Sequence, residues 1–236
     1  MVQKVAPSLQ HYIKGYYETP EMVCKARLNF LMSPPQMTYR PLFGVFEDLL
    51  RGQPYNELLA GISKADSRDW VVKNYKEILE RLNEEFAGRS VDYVHAVEPS
   101  YYNVGKDTLI PFKPPFIYGI DGQKHLPWLS FWKTGPLSGK KLSLFATLVE
   151  EQLNDSPDLE DVIFKIYDLS APGKDEKRGL VVTNLRDIPK LDEEEKVAML
   201  EILHDGYAMA DKEAADKPKR KTKQPEAHDP NQYFLL

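Results

Sequence analysis

The pattern of hydrophobic and polar positions divides the chain into a helical first part and a second part that mixes strands with helices. Before residue 90, apolar residues recur three or four positions apart, as on one face of a helix. We predict helices at 8–17, 20–32, 43–50, 54–62 and 67–86. The last is the clearest, and we expect Ser67 to be its N-cap. Its apolar stripe consists of Val71, Tyr75, Ile78, Leu82 and Phe86.

From residue 91 the pattern changes to the alternation and the short apolar runs of β-strands. We predict strands at 91–97, 108–120, 126–132, 162–169 and 180–184, and helices at 138–153 and 192–209. Short connections favour an antiparallel meander of the first three strands, with a turn at Gly119–Gly122. A helix that crosses over to the fourth strand favours a parallel pairing. The predicted fold class is therefore α/β, a mixed sheet flanked by helices and preceded by a helical N-terminal part.

Composition narrows the class of protein. Of the 236 residues 42% are hydrophobic, which is enough for a packed core. No apolar run reaches the roughly 18 residues of a membrane helix, so no membrane partner is expected. The single cysteine, Cys24, excludes an internal disulfide and favours a cytoplasmic location. The net charge of −5 counts mildly against nucleic-acid binding, which nevertheless depends on a local basic patch.

Two residues between the predicted strands suggest phosphodiester chemistry. Asp121 ends one predicted strand, and Lys133 ends the next. A carboxylate can hold a divalent cation on a scissile phosphate, while a lysine orients the attacking water. The alternative for Asp121 is a simple turn residue, because Asp-Gly is a common hairpin turn. The alternative for Lys133 is an ordinary solvent-exposed lysine.

The motifs around these two residues resemble those of RecB-family nucleases, in the superfamily named for its PD-(D/E)XK motif. Those nucleases, with related CRISPR-associated and phage exonucleases, carry Gly-x-x-Asp on one core strand. The next strand ends in Asp-Tyr-Lys-Thr-Gly, and a helix beginning Gln-Leu-x-Leu-Tyr-Ala follows. The similar segments here are Tyr118–Asp121, Phe131–Gly135 and Lys141–Ala146. Weaker similarities precede them at Ser8–Ile13, Thr19–Pro20, Gly44–Leu50 and Val97–Glu98.

The resemblance implies a PD-(D/E)XK nuclease-like fold and a DNA-processing protein of recombination, repair or replication. If the protein is active, Asp121 and Glu98 would bind Mg²⁺ or Mn²⁺ and Lys133 would orient the water. Phe131, however, stands where the family has an acid, and Lys141 stands where it has glutamine. Thr19 replaces a cysteine, so no iron–sulfur cluster is expected.

Two interpretations follow from these departures. In one, the missing acid has migrated, and Glu98, Asp107 or Asp168 supplies it. In the other, the chain is an inactive pseudo-nuclease that binds DNA or a protein, and the resemblance to phage exonucleases includes a phage-encoded protein in this interpretation. A lysine at position 141 fits the second interpretation, since its charge repels a metal ion but attracts a phosphate. Trp128 and Trp132 share one strand face and are interpreted as core residues.

We predict that a helical part at 1–90 packs as one domain with a nuclease-like core at 91–212. The remaining residues, 213–236, are predicted to be a disordered basic linker with an apolar end. The basic run is Lys217–Lys223, interpreted as a linker or as a phosphate contact. We interpret the apolar end as a partner-binding peptide, similar to those that bind the bacterial sliding clamp; the alternative is that it folds back on its own domain. Its residues are Gln232, Tyr233, Phe234, Leu235 and Leu236.

Overall fold

The computed structural model describes residues 4–33, 35–105, 107–159, 161–173 and 175–216. The helices are α1 (Leu9–Lys14), α2 (Pro20–Met32), α3 (Arg40–Leu50), α4 (Tyr55–Ile62), α5 (Asp69–Phe86), α6 (Gly139–Asn154) and α7 (Glu193–Asp216). The strands are β1 (Lys4–Val5), β2 (Tyr93–His95), β3 (Ser100–Val104), β4 (Thr108–Phe112), β5 (Ile117–Ile120), β6 (Gln123–Ser130), β7 (Ile163–Asp168) and β8 (Val181–Asn184).

Five strands form the central sheet, in the order β2-β5-β6-β7-β8. β5 and β6 are an antiparallel hairpin, and α6 then crosses over so that β7 lies parallel to β6. The parallel pair places Ser130 opposite Asp168 at the carboxyl ends of the two strands. The predicted α/β class, with a hairpin followed by a helical crossover, is confirmed.

A second, three-stranded sheet has the order β1-β4-β3. The prediction of one strand over 108–120 is wrong, because β4 and β5 belong to different sheets. Pro114 and Pro115 lie in the break between them, and neither has an N–H to donate to a strand ladder. β3 is absent from the predicted strands, since a polar residue, Ser100, lies on its more buried side and an aromatic residue, Tyr101, on its exposed side.

Both faces of β6, the middle strand of the central sheet, are buried. Leu126 and Trp128 of β6 face a core formed with α1, α6 and α7. Leu129 and Phe131 face the opposite side, where α3, α4 and α5 pack. This alternation is the period of two expected of a strand covered by helices on both sides. The first 90 residues therefore contribute helices to both faces of the sheet.

The helix ends differ in detail from the predictions. Arg68, not Ser67, occupies the N-cap of α5 and makes no side-chain cap bond. At α7, Asp192 Oδ1 accepts a hydrogen bond from the Glu195 backbone N–H at 2.8 Å, as their spacing indicates. α7 continues to Asp216, so the linker boundary predicted at 213 falls inside a helix. The basic run and the apolar peptide lie outside the described residues.

Candidate functional site

Asp121 is a turn residue in this fold. Ile120 pairs with Gln123, which leaves Asp121 and Gly122 as the two central residues of the β5–β6 hairpin. Both have positive φ angles, 52° and 71°, as a type I′ turn requires. The carboxylate of Asp121 is exposed at the tip of this turn.

The structure does not bring Asp121 and Lys133 together. Asp121 precedes β6, and Lys133 follows its opposite end. The eight residues of β6 extend for about 25 Å at ~3.3 Å per residue. Asp121 and Lys133 therefore lie too far apart to contact one phosphate, so the catalytic pair that the resemblance implies is not assembled in this fold.

The other candidate acids are dispersed as well. Glu98 is exposed in the connection between β2 and β3. Asp107 Oδ1 lies 3.1 Å from Nε2 of His204, at the turn between β3 and β4. Asp168 ends β7 and accepts hydrogen bonds from the N–H and the hydroxyl of Ser170, each at 3.1 Å.

The acidic side chains predicted as metal ligands are not arranged to bind a divalent cation. Within the described ranges, no three side chains of histidine, cysteine, aspartate or glutamate are placed to hold a metal ion. Mg²⁺ and Mn²⁺ prefer several oxygen ligands in fixed geometry. Asp121 and Glu98, the predicted ligands, are separate surface residues. No metal-dependent step can be derived from these residues.

Phe131, which stands at the family's acid position, is a core residue. Its side chain is only 5% exposed, and its ring lies 5.3 Å from Tyr39 and 5.2 Å from Phe43, centroid to centroid. Arg178, itself 3% exposed, donates from Nη1 to the Phe131 carbonyl at 3.0 Å. It also donates to the Leu169 carbonyl at 2.6 Å. The carboxyl ends of β6 and β7 are thus held by a buried guanidinium.

A cleft lies beside this end of the sheet. One compartment, with a volume of about 260 Å³, is walled by Tyr39, Phe43 and Phe131 and includes Lys113. A second compartment, of about 340 Å³, includes Lys14 and Arg27. His11, Pro35 and Trp132 line both compartments and form the wall between them. We call the two together the Trp132 cleft.

The charged side chains on the described walls of the Trp132 cleft are all basic. Among the residues that the structure describes, no aspartate or glutamate lines either compartment, whereas Lys14, Arg27 and Lys113 do. The chain as a whole has 36 acidic and 31 basic residues, so this distribution is local. A positive cleft in an acidic protein favours an anionic ligand at this place.

Trp132 is the centre of a cluster of basic and aromatic groups. Nζ of Lys14 lies 3.6 Å from the centroid of its ring, a cation–π contact. His11 packs edge-on against Trp132, with centroids 5.2 Å apart, and its Nδ1 lies 2.8 Å from Oγ of Ser8. Burial, with a smaller effect of Lys14, lowers the pKa of His11 to about 4. His11 is therefore neutral at pH 7, and Lys14 supplies the charge.

Lys141 joins this cluster from the first turn of α6. Its Nζ lies 4.7 Å from the Tyr17 ring centroid and donates to the Lys14 carbonyl at 3.1 Å. Burial lowers the pKa of Lys14 to about 8, with Lys141 as the second cause and a smaller opposing effect of Asp168. Burial also lowers the pKa of Lys141. Two ammonium groups are thus held together at a cost that a bound anion would offset.

Asp168 lies in a smaller cavity of about 60 Å³ that Ser130 and Trp128 also line. Burial raises the pKa of the Asp168 carboxyl. Oγ of Ser130 is buried and has no hydrogen-bond partner among the described residues. Among the described residues, this cavity has one carboxylate, and it adjoins the Trp132 cleft through Gln10 and Trp128, which line both.

Sequence reasoning identified Lys141 but missed the rest of the cluster. The sequence predicts Trp132 as a core residue, whereas in the structure it lies beyond the end of β6 and is only half-buried. Trp128, in contrast, is 6% exposed and donates from Nε1 to Gln10 at 3.0 Å. The available signal was the i,i+3 spacing of His11 and Lys14, which places both on one face of α1.

Comparison with known proteins gives no family for this chain. No protein-family model matches it, and no curated protein shows a significant match. Among the described helices, none is both long and apolar enough to cross a membrane.

Proposed function

We propose that this chain is a nuclease-like α/β domain that binds nucleic acid, DNA foremost, without hydrolysing it. The observation that carries the proposal is the Trp132 cleft, in which Lys14 and Trp132 are in contact and none of the described acidic residues lines the walls. The resemblance to RecB-family nucleases supports DNA as the ligand. The departures at Phe131 and Lys141 support binding in place of cleavage.

The chemistry of the cleft suits a single strand better than a duplex. Lysine and arginine side chains neutralise phosphates, and aromatic faces stack on unpaired bases. Bases within a duplex are already stacked on each other and cannot lie against Trp132. We therefore expect single-stranded DNA to bind more tightly than a duplex of the same sequence.

Hydrolysis is not part of the proposal because its parts are not assembled. Asp121 and Lys133 flank opposite ends of β6. Phe131 is buried in the core, and its apolar ring occupies the position at which the family has an acid. Lys141 lies beside Lys14, where their two charges would repel a metal ion.

The salt dependence of binding tests the proposal. Fluorescence anisotropy of a labelled oligothymidylate should give a log–log salt slope of about −2 to −3, since three or four basic residues each contribute ~0.7. Lys14→Gln and Lys141→Gln should each reduce that slope by about 0.7. Trp132→Leu should weaken binding about tenfold or more without changing the slope, because it removes stacking and not charge.

The matched control is Lys76→Gln, which removes one exposed lysine on the outer face of α5. It should bind like the wild type. A wild-type slope near zero, or equal losses in Lys76→Gln and Lys14→Gln, would refute binding in this cleft. Metal-dependent shortening of the oligonucleotide would instead support the active-nuclease interpretation.

A further inference from the structure

The compartment of the Trp132 cleft between α1, α2 and α7 has features that a general nucleic-acid groove does not need. It is lined by Lys14, Arg27, Phe30, Tyr207 and Trp132. Among the described residues, Lys14 and Arg27 thus line one space of about 340 Å³, partly open to solvent, together with the rings of Phe30, Tyr207, Trp132 and Tyr17. The compartment on the other side of Trp132 includes a single basic residue, Lys113.

Arg27 is the unusual residue of this compartment. Its guanidinium carbon lies 5.1 Å from the Tyr207 ring centroid and 5.7 Å from that of Phe30. Nε of Arg27 is buried and has no hydrogen-bond partner within the described part of the chain. Asp211 on α7, an acid near Tyr207, is engaged by Lys4 at 3.3 Å. A buried N–H without an acceptor is costly, and a ligand oxygen would remove that cost.

Arg27 and Lys14 offer complementary donors. A guanidinium presents a planar fork that binds two oxygens of one phosphate, and an ammonium adds a point charge. The rings of Tyr207, Phe30 and Trp132 leave room for the flat base or the sugar that carries the phosphate. The fork and the ammonium together can contact three free oxygens of one phosphate, which a monoester has and a diester lacks, and the rings suit an aromatic group attached to that phosphate.

We propose that this compartment is a subsite for a phosphate monoester, with Arg27 and Lys14 as its donors. The inference rests on the proposed function, because the subsite is one end of the cleft that would hold the strand. A phosphate monoester exists at a phosphorylated strand end or in a free nucleotide, whereas internal phosphates are diesters. The subsite would thus bind strand ends in preference to the interior of a strand.

Five ligands distinguish these sources in one anisotropy or calorimetric titration. Three are linear oligothymidylates of one length, with a 5′-phosphate, with a 3′-phosphate, or with hydroxyls at both ends. The fourth is a closed circle of the same length, and the fifth is thymidine 5′-monophosphate, with thymidine as its reference. The linear strand with one of the two phosphorylated ends should bind about tenfold or more tightly than the circle, as expected for hydrogen bonds to a charged group.

Arg27→Gln should abolish the preference for the phosphorylated end, and it should lower the affinity for the circle and for the unphosphorylated strand equally, by no more than the loss of one phosphate contact predicts. The matched control is Arg186→Gln, which should retain the preference. Arg186 is exposed and follows the C-terminal end of β8, whereas Asp168 pairs with Val181 at the other end of that strand. If Arg27→Gln does not fold, the wild-type comparison of thymidine monophosphate with thymidine decides: equal affinities overturn the subsite.

The outcomes separate the two proposals. Equal affinity for the circle and for every linear strand overturns the subsite and leaves nucleic-acid binding in place. Binding of the free monophosphate but of no strand supports the subsite and refutes the proposed function. A phosphate preference that survives Arg27→Gln overturns the assignment of its donors.

Discussion

Substitutions of Phe131 test whether this residue is part of the hydrophobic core or occupies a catalytic position that has lost its acid. Its side chain is 5% exposed and contacts the rings of Tyr39 and Phe43. Truncation of such a phenylalanine to alanine costs about 3–5 kcal/mol. That is a large share of the roughly 5–15 kcal/mol by which domains are stable. At about 2–4 °C per kcal/mol for a chain of this size, Phe131→Ala should lower Tm by about 6–20 °C.

Phe131→Asp should be at least as destabilising, because it buries an unpaired carboxylate in addition to the lost packing. Phe131→Leu keeps most of the volume and should cost less than about 1.5 kcal/mol. Thermal and urea denaturation followed by circular dichroism measure all three variants. A stable Phe131→Asp protein that cleaves DNA in Mg²⁺ would refute this reasoning, since it would show that position 131 faces a working metal site. A Tm of Phe131→Ala within about 2 °C of wild type would also refute it.

Three further predictions concern charged or titrating groups. Arg178→Met should lower the free energy of unfolding, measured by urea denaturation, by about 3 kcal/mol or more, because it leaves several buried acceptors without a donor. Arg178→Lys should recover only part of this stability. His11 has a pKa of about 4 in the fold, below its ordinary 6.5. The stability that neutral His11 contributes should therefore be complete above pH 6.5 and fall by up to about 3 kcal/mol as the pH drops toward 4. In His11→Gln, urea denaturation should show no such pH-dependent loss. Lys14 has a pKa of about 8 and should lose its charge as the pH rises through 8. DNA affinity, measured by anisotropy from pH 7 to 9, should therefore fall more in the wild type than in Lys14→Gln.

The elements that local patterns define were predictable, and the separation into two sheets was not. The stripe from Val71 to Phe86 and the crossover by α6 depend on spacing within one segment. The division of 108–120 depends on which partner each half finds: Leu109 pairs with β1 and β3, whereas Tyr118 pairs with β2 and β6. A single sequence contains no direct signal for such long-range pairing.

The candidate site was harder to predict because proximity along the chain was misleading. Asp121 and Lys133 are twelve positions apart, but the register of the hairpin places the turn at Asp121 itself. In contrast, Lys14 and Trp132 are distant in sequence and lie in contact. Only Lys141 was recognised in advance, because its charge departs from the motif that the segment resembles. Arg178 gave no signal, since its role depends on carbonyls at the ends of two strands.

The most direct test of the account is a single reaction of the protein with labelled single-stranded DNA in Mg²⁺ or Mn²⁺, divided between a native and a denaturing gel. The account predicts a retarded complex on the native gel and intact strand on the denaturing gel. Fragments that require the metal and disappear in Asp121→Ala and Lys133→Ala would contradict it. Intact strand without any retarded complex would contradict the binding claim itself.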